Sequence, residues 1–336
     1  MRIELSGRDR ERSAVGVLAL VASLACAFLS ARGALTGWLA AAVAFQSLPL
    51  TGLFLLAMMR LIRGEWEPML RPVCEAAARL WPFAAASFVP VLLGLEAIYD
   101  WEREAPLSAF QGAWLGYVQY GVRTTIRFIA FALIARYQVG RQASQAASVA
   151  ALILLLMGTS LTSVDWLMSL DPRFHSSGFG LQMLSIEIAA GFTVLLIVRL
   201  LTAPEPQELG LLGGLLLTLL LLWAYFQFMP YLILWSGNLP EGVKWYAVRS
   251  HGGWTAATVA LGACGLGPIL ALLLPQVRKR RVPLITVSLI ALAGKLIEFA
   301  WFALPERGAV AVFAYVLALL GFTCLTGVWF ARVRQA

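Results

Sequence analysis

The chain has 336 residues, of which 60% are hydrophobic and 13% charged, with a mean hydropathy of +0.79; a soluble domain of this size does not carry that composition on its surface. Its net charge of +8 comes from 26 Lys and Arg against 18 Asp and Glu, scattered over short loops without forming one basic stripe, which argues against nucleic-acid binding. The polar groups that matter are those held inside a lipid bilayer or just outside it.

A bilayer core of roughly 30 Å takes about 20 apolar residues per helix. Residues 1–12 mix Arg2, Arg8, Arg10 and Arg12 with Glu4, Asp9 and Glu11 and read as a polar N-terminal tail, not as a cleavable signal peptide. From there, 13–336 read as a single integral membrane domain. Apolar runs predict spans over 13–31, 37–61, 81–99, 115–137, 143–163, 178–201, 209–235, 253–275, 282–303 and 309–331. The expected fold is therefore an all-α, polytopic transmembrane protein of about ten spans. Alternate loops hold 17 and 6 basic residues, and three more lie within spans, so the positive-inside rule predicts that both termini are cytoplasmic.

Cys26, Cys74, Cys264 and Cys324 are isolated, without metal-ligand spacing, and read as small buried hydrophobes. His175 and His251 both fall in loops on the outward side, which excludes a bis-histidine haem held between facing helices. No phosphate-binding glycine loop, Ser/His/Asp set or HExxH is present. No metal site is expected in this chain.

Two loop segments are dense in unusual residues. The first runs from Thr162 through Asp165, Trp166, Asp171, Pro172, Arg173, Phe174 and His175 to Gly180. Asp171-Pro172 predicts a turn, Ser176 or Ser177 is placed to cap the next span, and Trp166 and Phe174 suit the membrane interface. The second runs from Tyr225 through Pro230, Trp235, Asn238, Pro240, Glu241, Trp245 and Tyr246 to Arg249, His251 and Trp254. Pro230 predicts a kink, and the tryptophans an aromatic belt. Both segments have two readings: capped interfacial hairpins, or surfaces for docking partner subunits through Asp165, Trp166, Asp171, Pro172, His175, Asn238, Pro240, Glu241 and Arg249.

The segments SVDWLMSLDP with FG soon after, and WSGNLPE followed by WY, R and GGW, resemble the F-type membrane subunit of alternative complex III, a bacterial quinol:cytochrome c oxidoreductase. That subunit is itself related to polysulfide-reductase-type (NrfD-like) membrane anchors. The motifs occur in the expected order and loops and cover about a fifth of the chain; Arg173–Ser177 and Gly242 depart from the family's usual residues. The resemblance implies ten spans with two four-helix bundles and flanking helices in the bacterial inner (plasma) membrane. It also implies a role in respiratory electron transport beside subunits that carry haem c and iron–sulfur clusters. No cofactor is expected on this chain alone, with menaquinol or ubiquinol as the ligand it would meet.

Independently of any resemblance, charges in hydrocarbon are costly and face a bundle interior, a partner or a water cavity. Six stand within the predicted spans: Glu96, Arg123, Arg127, Glu187, Lys295 and Glu298. Arg123 and Arg127 share a helix face, as do Lys295 and Glu298. At about 1.5 Å per residue most of these lie in the outer half of the membrane, where they would form either a hydrated proton or quinol path or buried ion pairs. Three functions follow: a non-catalytic or quinol- and proton-handling subunit of a redox complex, a secondary transporter, or a structural anchor.

Overall fold

The computed structural model describes residues 7–101, 108–139, 143–202, 208–237 and 240–335. Every regular element among the described residues is helical. In chain order these are α1 (Gly7–Ala25), α2 (Ala31–Leu61), α3 (Trp66–Ala78), α4 (Trp81–Ser87), α5 (Val89–Leu93), α6 (Leu95–Ile98), α7 (Ala109–Trp114) and α8 (Tyr117–Gln138). The second half holds α9 (Gln145–Trp166), α10 (Phe179–Thr202), α11 (Leu209–Gly237), α12 (Pro240–Val248), α13 (Gly253–Leu273), α14 (Pro275–Arg278), α15 (Arg281–Ala303) and α16 (Gly308–Gln335). Two short 3₁₀ turns follow α1 and α9.

Among the described residues eight helices are long and apolar enough to cross a membrane, or nine if the bent α3 and α4–α5 pair counts as one span. The chain is thus an all-α polytopic membrane protein. One of the ten predicted spans takes another form, and one that forms as expected falls short in hydropathy. Residues 81–99 do not make one helix: Pro90 withholds a backbone donor and Gly94 ends α5, so the segment divides into α4, α5 and α6. At the first break the indole of Trp38 donates to the Ser87 carbonyl at 2.7 Å, satisfying backbone that lipid could not. Helix α8 is long enough to span, but Arg123, Arg127 and Arg136 lower its hydropathy below that of its neighbours. Residues 7–12, read as tail, already belong to α1.

The helices pack as two rings of four. In one, α2, α4, α8 and α9 contact each other in turn; in the other, α10, α11, α13 and α15 do. Helix α10 also packs on α2 and α9 and so joins the rings, while α1 and α16 flank α2. Helix α2 is the centre, with 89% of its most apolar stretch inside the protein against 17% for α1. In lipid, apolar burial gives little drive to helix association, and close backbone approach between small residues matters more. Gly52 of α2 supplies such an approach: a Cβ there would stand 2.8 Å from the Cys74 carbonyl oxygen and 2.9 Å from the Ala78 nitrogen of α3.

The start of α1 and the end of α16 lie at one end of the assembly, with Arg12 beside Phe330 and Ala331, and there the Trp329 indole of α16 donates to the Ala76 carbonyl of α3 at 2.8 Å. The opposite, far end gathers the two dense segments. There Phe174 stacks on Trp245, with centroids 4.3 Å apart, and Arg307 donates to the Leu170 carbonyl at 3.0 Å.

Candidate functional sites within the two helix rings

Each ring encloses its own group of charges. In the first, Arg123 and Arg127 lie one turn apart on α8 and face α9. The Arg123 guanidinium donates to both oxygens of Asp165, at 2.6 and 2.8 Å, and to the Trp114 carbonyl at 2.9 Å. The Trp114 indole donates to the same carboxylate at 2.9 Å. A two-point arginine–carboxylate pair of this kind fixes orientation as well as energy. Asp165 is wholly enclosed, so its charge depends on Arg123.

Deeper in that ring, Arg127 donates to Gln46 Oε1 of α2 at 2.7 Å and to the hydroxyls of Thr162 and Thr159 on α9. Its guanidinium lies 4.3 Å from the Trp166 ring centroid, a cation–π contact in a dry setting. The Gln46 amide passes the connection on, donating to Glu187 Oε2 of α10 at 2.8 Å. Arg127 and Glu187 themselves approach to 3.8 Å. Glu187 Oε1 is buried without any hydrogen-bond partner among the described residues. A buried unsatisfied polar atom costs about 1–3 kcal/mol; Arg127 Nε in the same group is also without a partner among the described residues, and of the two only the Glu187 oxygen can take up a proton.

The second ring repeats the chemistry with different residues. Lys295 and Glu298, one turn apart on α15, pair at 2.7 Å. The Trp223 indole of α11 donates to both Glu298 oxygens, at 2.8 and 3.0 Å. Lys295 Nζ sits 3.2 Å from the centroid of the same Trp223 ring. Here the carboxylate is satisfied on both oxygens. Among the described residues no hydrogen bond or ion pair joins the two groups.

The six intramembrane charges thus do not converge on one site. Arg123, Arg127 and Glu187 fall in or beside the first ring, Lys295 and Glu298 in the second, and Glu96 is exposed on α6 and joins neither. Of the residues assigned to docking loops, Asp165 and Trp166 lie in the interior: Trp166, read as an interfacial aromatic, is fully buried, with its indole donating to Thr124 at 3.0 Å. The reason is that α9 continues to Trp166, so the end of the motif still belongs to the packed helix. Phe174 and Trp245 are likewise buried, against each other, whereas Trp235 is 70% exposed as a belt residue would be.

Arg249 is also interior. It donates to the carbonyls of Trp301, Trp245 and Phe302 at 3.1, 2.9 and 3.0 Å, and so caps the end of α15. Burial pushes its guanidinium down, with the Asp171 carboxylate acting in the other direction. His175 and Pro240 remain exposed, and Asp171 and Pro172 partly so; Gln111 donates to the Pro172 carbonyl at 2.9 Å, which ties the turn to α7. Asn238 and the Glu241 side chain lie outside the described residues. Gln46 and Trp223, the neutral members of the two groups, are not among the residues that the sequence singles out. A glutamine in the run AAAVAFQSLPL was a visible signal; a tryptophan among leucines pointed to no particular partner.

The described residues contain no group of three or more His, Cys, Asp or Glu arranged to hold a metal ion. No family model matches this chain, and no curated protein matches it either.

Proposed function

We propose that this chain is an integral membrane subunit of a quinol-oxidising electron-transfer complex, in the bacterial plasma membrane, with Glu187 as its proton-handling group. The observation that carries this reading is the free Oε1 of Glu187, set inside the protein while Oε2 is held by Gln46 and faced by Arg127. A carboxyl held on one oxygen and open on the other can gain and lose a proton without its chain moving. The resemblance of the two dense segments to the F-type subunit supports the assignment to a redox complex. Those segments meet at the far end through Phe174 and Trp245, leaving His175 and Pro240 exposed beside them as a surface for periplasmic partners bearing haem c and iron–sulfur clusters.

Purification of the tagged chain in mild detergent tests the assignment. Co-purification of haem c and iron–sulfur subunits with quinol:acceptor activity is the expected result; a lone colourless protein overturns it. In the intact complex, Glu187→Gln is expected to lower proton release per quinol oxidised, and an unchanged ratio removes the proton role. A structural role has its own support at Lys295–Glu298, where every carboxylate oxygen is satisfied. A cysteine introduced at exposed His175, in a background without the native cysteines, should react with an impermeant reagent from the periplasmic side only.

A further inference from the structure

The far end carries a polar pocket of about 260 Å³ between the turn after α9, the residues before α13 and the turn joining α15 to α16. Four guanidinium groups line it, from Arg32, Arg173, Arg249 and Arg307, against two carboxylates, Asp171 and Glu306. Three of these arginines have defined protein partners: Arg32 pairs with Asp100, Arg173 with Asp171 at 3.5 Å, and Arg249 is held by carbonyls. Arg307 differs. Its Nη2 donates to the Leu170 carbonyl at 3.0 Å, but its Nη1 is buried with no hydrogen-bond partner among the described residues. On either side of it, Glu306 and Gly308 adopt positive φ, 65° and 79°, which a glutamate seldom does. Burial and the neighbouring Arg32 both push the Arg307 guanidinium down.

We infer that this pocket is an oxyanion site for a phosphate-class group, supplied by an anionic phospholipid headgroup or by free phosphate. An oxyanion accepts from the guanidinium groups that line the pocket, and its charge offsets their excess over the described carboxylates, Asp171, Glu306 and the Asp100 that pairs with Arg32. Arginine's planar fork matches phosphate oxygens better than any other side chain. A volume of about 260 Å³ has room for a phosphate or phosphoglycerol head. The inference does not depend on the redox reading, since it concerns another part of the protein and no proton or electron transfer.

The test uses the full chain, folded in uncharged detergent and in nanodiscs. Saturable binding of inorganic phosphate, seen as a concentration-dependent rise in thermal midpoint, identifies the free anion as a ligand. A rise in nanodiscs of phosphatidylglycerol over phosphatidylcholine, without a response to phosphate, identifies the headgroup. Arg307→Gln is expected to weaken whichever binding is seen by about tenfold, the scale of one charge-assisted hydrogen bond, and Arg307→Lys to recover part of it. Because Arg307 also holds the Leu170 carbonyl, Arg173→Gln, whose side chain is 73% exposed, provides a second variant that leaves that hydrogen bond in place; about threefold weakening is expected. Absence of both phosphate and phosphatidylglycerol binding by the folded wild type, affinities unchanged in both variants, or capture of an acidic peptide alone would each overturn the site.

Discussion

Arg127 and Glu187 stand 3.8 Å apart with opposite charges, yet the hydrogen bonds that join them run through Gln46. The amide oxygen of Gln46 accepts from the arginine while its nitrogen donates to the carboxylate. One glutamine therefore orders both ions, and α2, α8 and α10 are locked together by a single side chain. Opening a buried pair by removing one partner costs about 3–5 kcal/mol, because the survivor is left uncompensated.

Arg127→Gln and Glu187→Gln should each destabilise the folded protein by about 3 kcal/mol, while the double variant loses less than the sum. Chemical unfolding in detergent micelles measures the cycle. Additive losses would mean that the two residues are not coupled.

Gln46→Leu keeps the volume of the side chain and removes both hydrogen bonds. The expected loss is about 2–4 kcal/mol, since two charged groups each lose a partner worth about 1.5–3 kcal/mol in part. A thermal midpoint within a degree of the wild type would show that Arg127 and Glu187 find each other directly.

Asp165→Asn weakens the two-point hold on Arg123 while keeping the shape of the site. A fall of about 2 kcal/mol is expected, and Arg123→Gln added to it should cost little more. Equal losses from the two changes in sequence would place Asp165 on some partner other than Arg123.

Gly52→Leu forces a side chain into the backbone of α3 and should abolish the folded state. Gly52→Ala should cost about 1–3 kcal/mol, the scale of overpacking. Yield of monodisperse protein by size-exclusion chromatography, followed by thermal unfolding, reads both, and normal behaviour of the leucine variant would contradict the helix contact described above.

The span pattern was legible because length and hydropathy alone decide whether a helix suits a bilayer. The exceptions have local causes that are visible in the residues. Pro90 and Gly94 sit in the middle of the predicted span 81–99, and α8 carries three arginines on 22 residues. That Arg123 and Arg127 share one face also followed from helical spacing. Their partners did not, because periodicity says which residues share a face and nothing about which other helix that face meets. Asp165 and Arg249 show the consequence: both stand in polar segments that read as loops, and both are enclosed by helices distant in the chain.

Apolar runs and loop charges, read from the sequence alone, determined an all-helical chain in lipid and placed costly charges inside it. Tertiary structure decided how those charges are shared: one group in each ring, with Gln46 and Trp223 as the neutral partners, and Glu96 left outside. The physical reason is that insertion into a bilayer is a property of each helix separately, whereas the cost of a buried charge is offset only by groups that packing brings within hydrogen-bond reach.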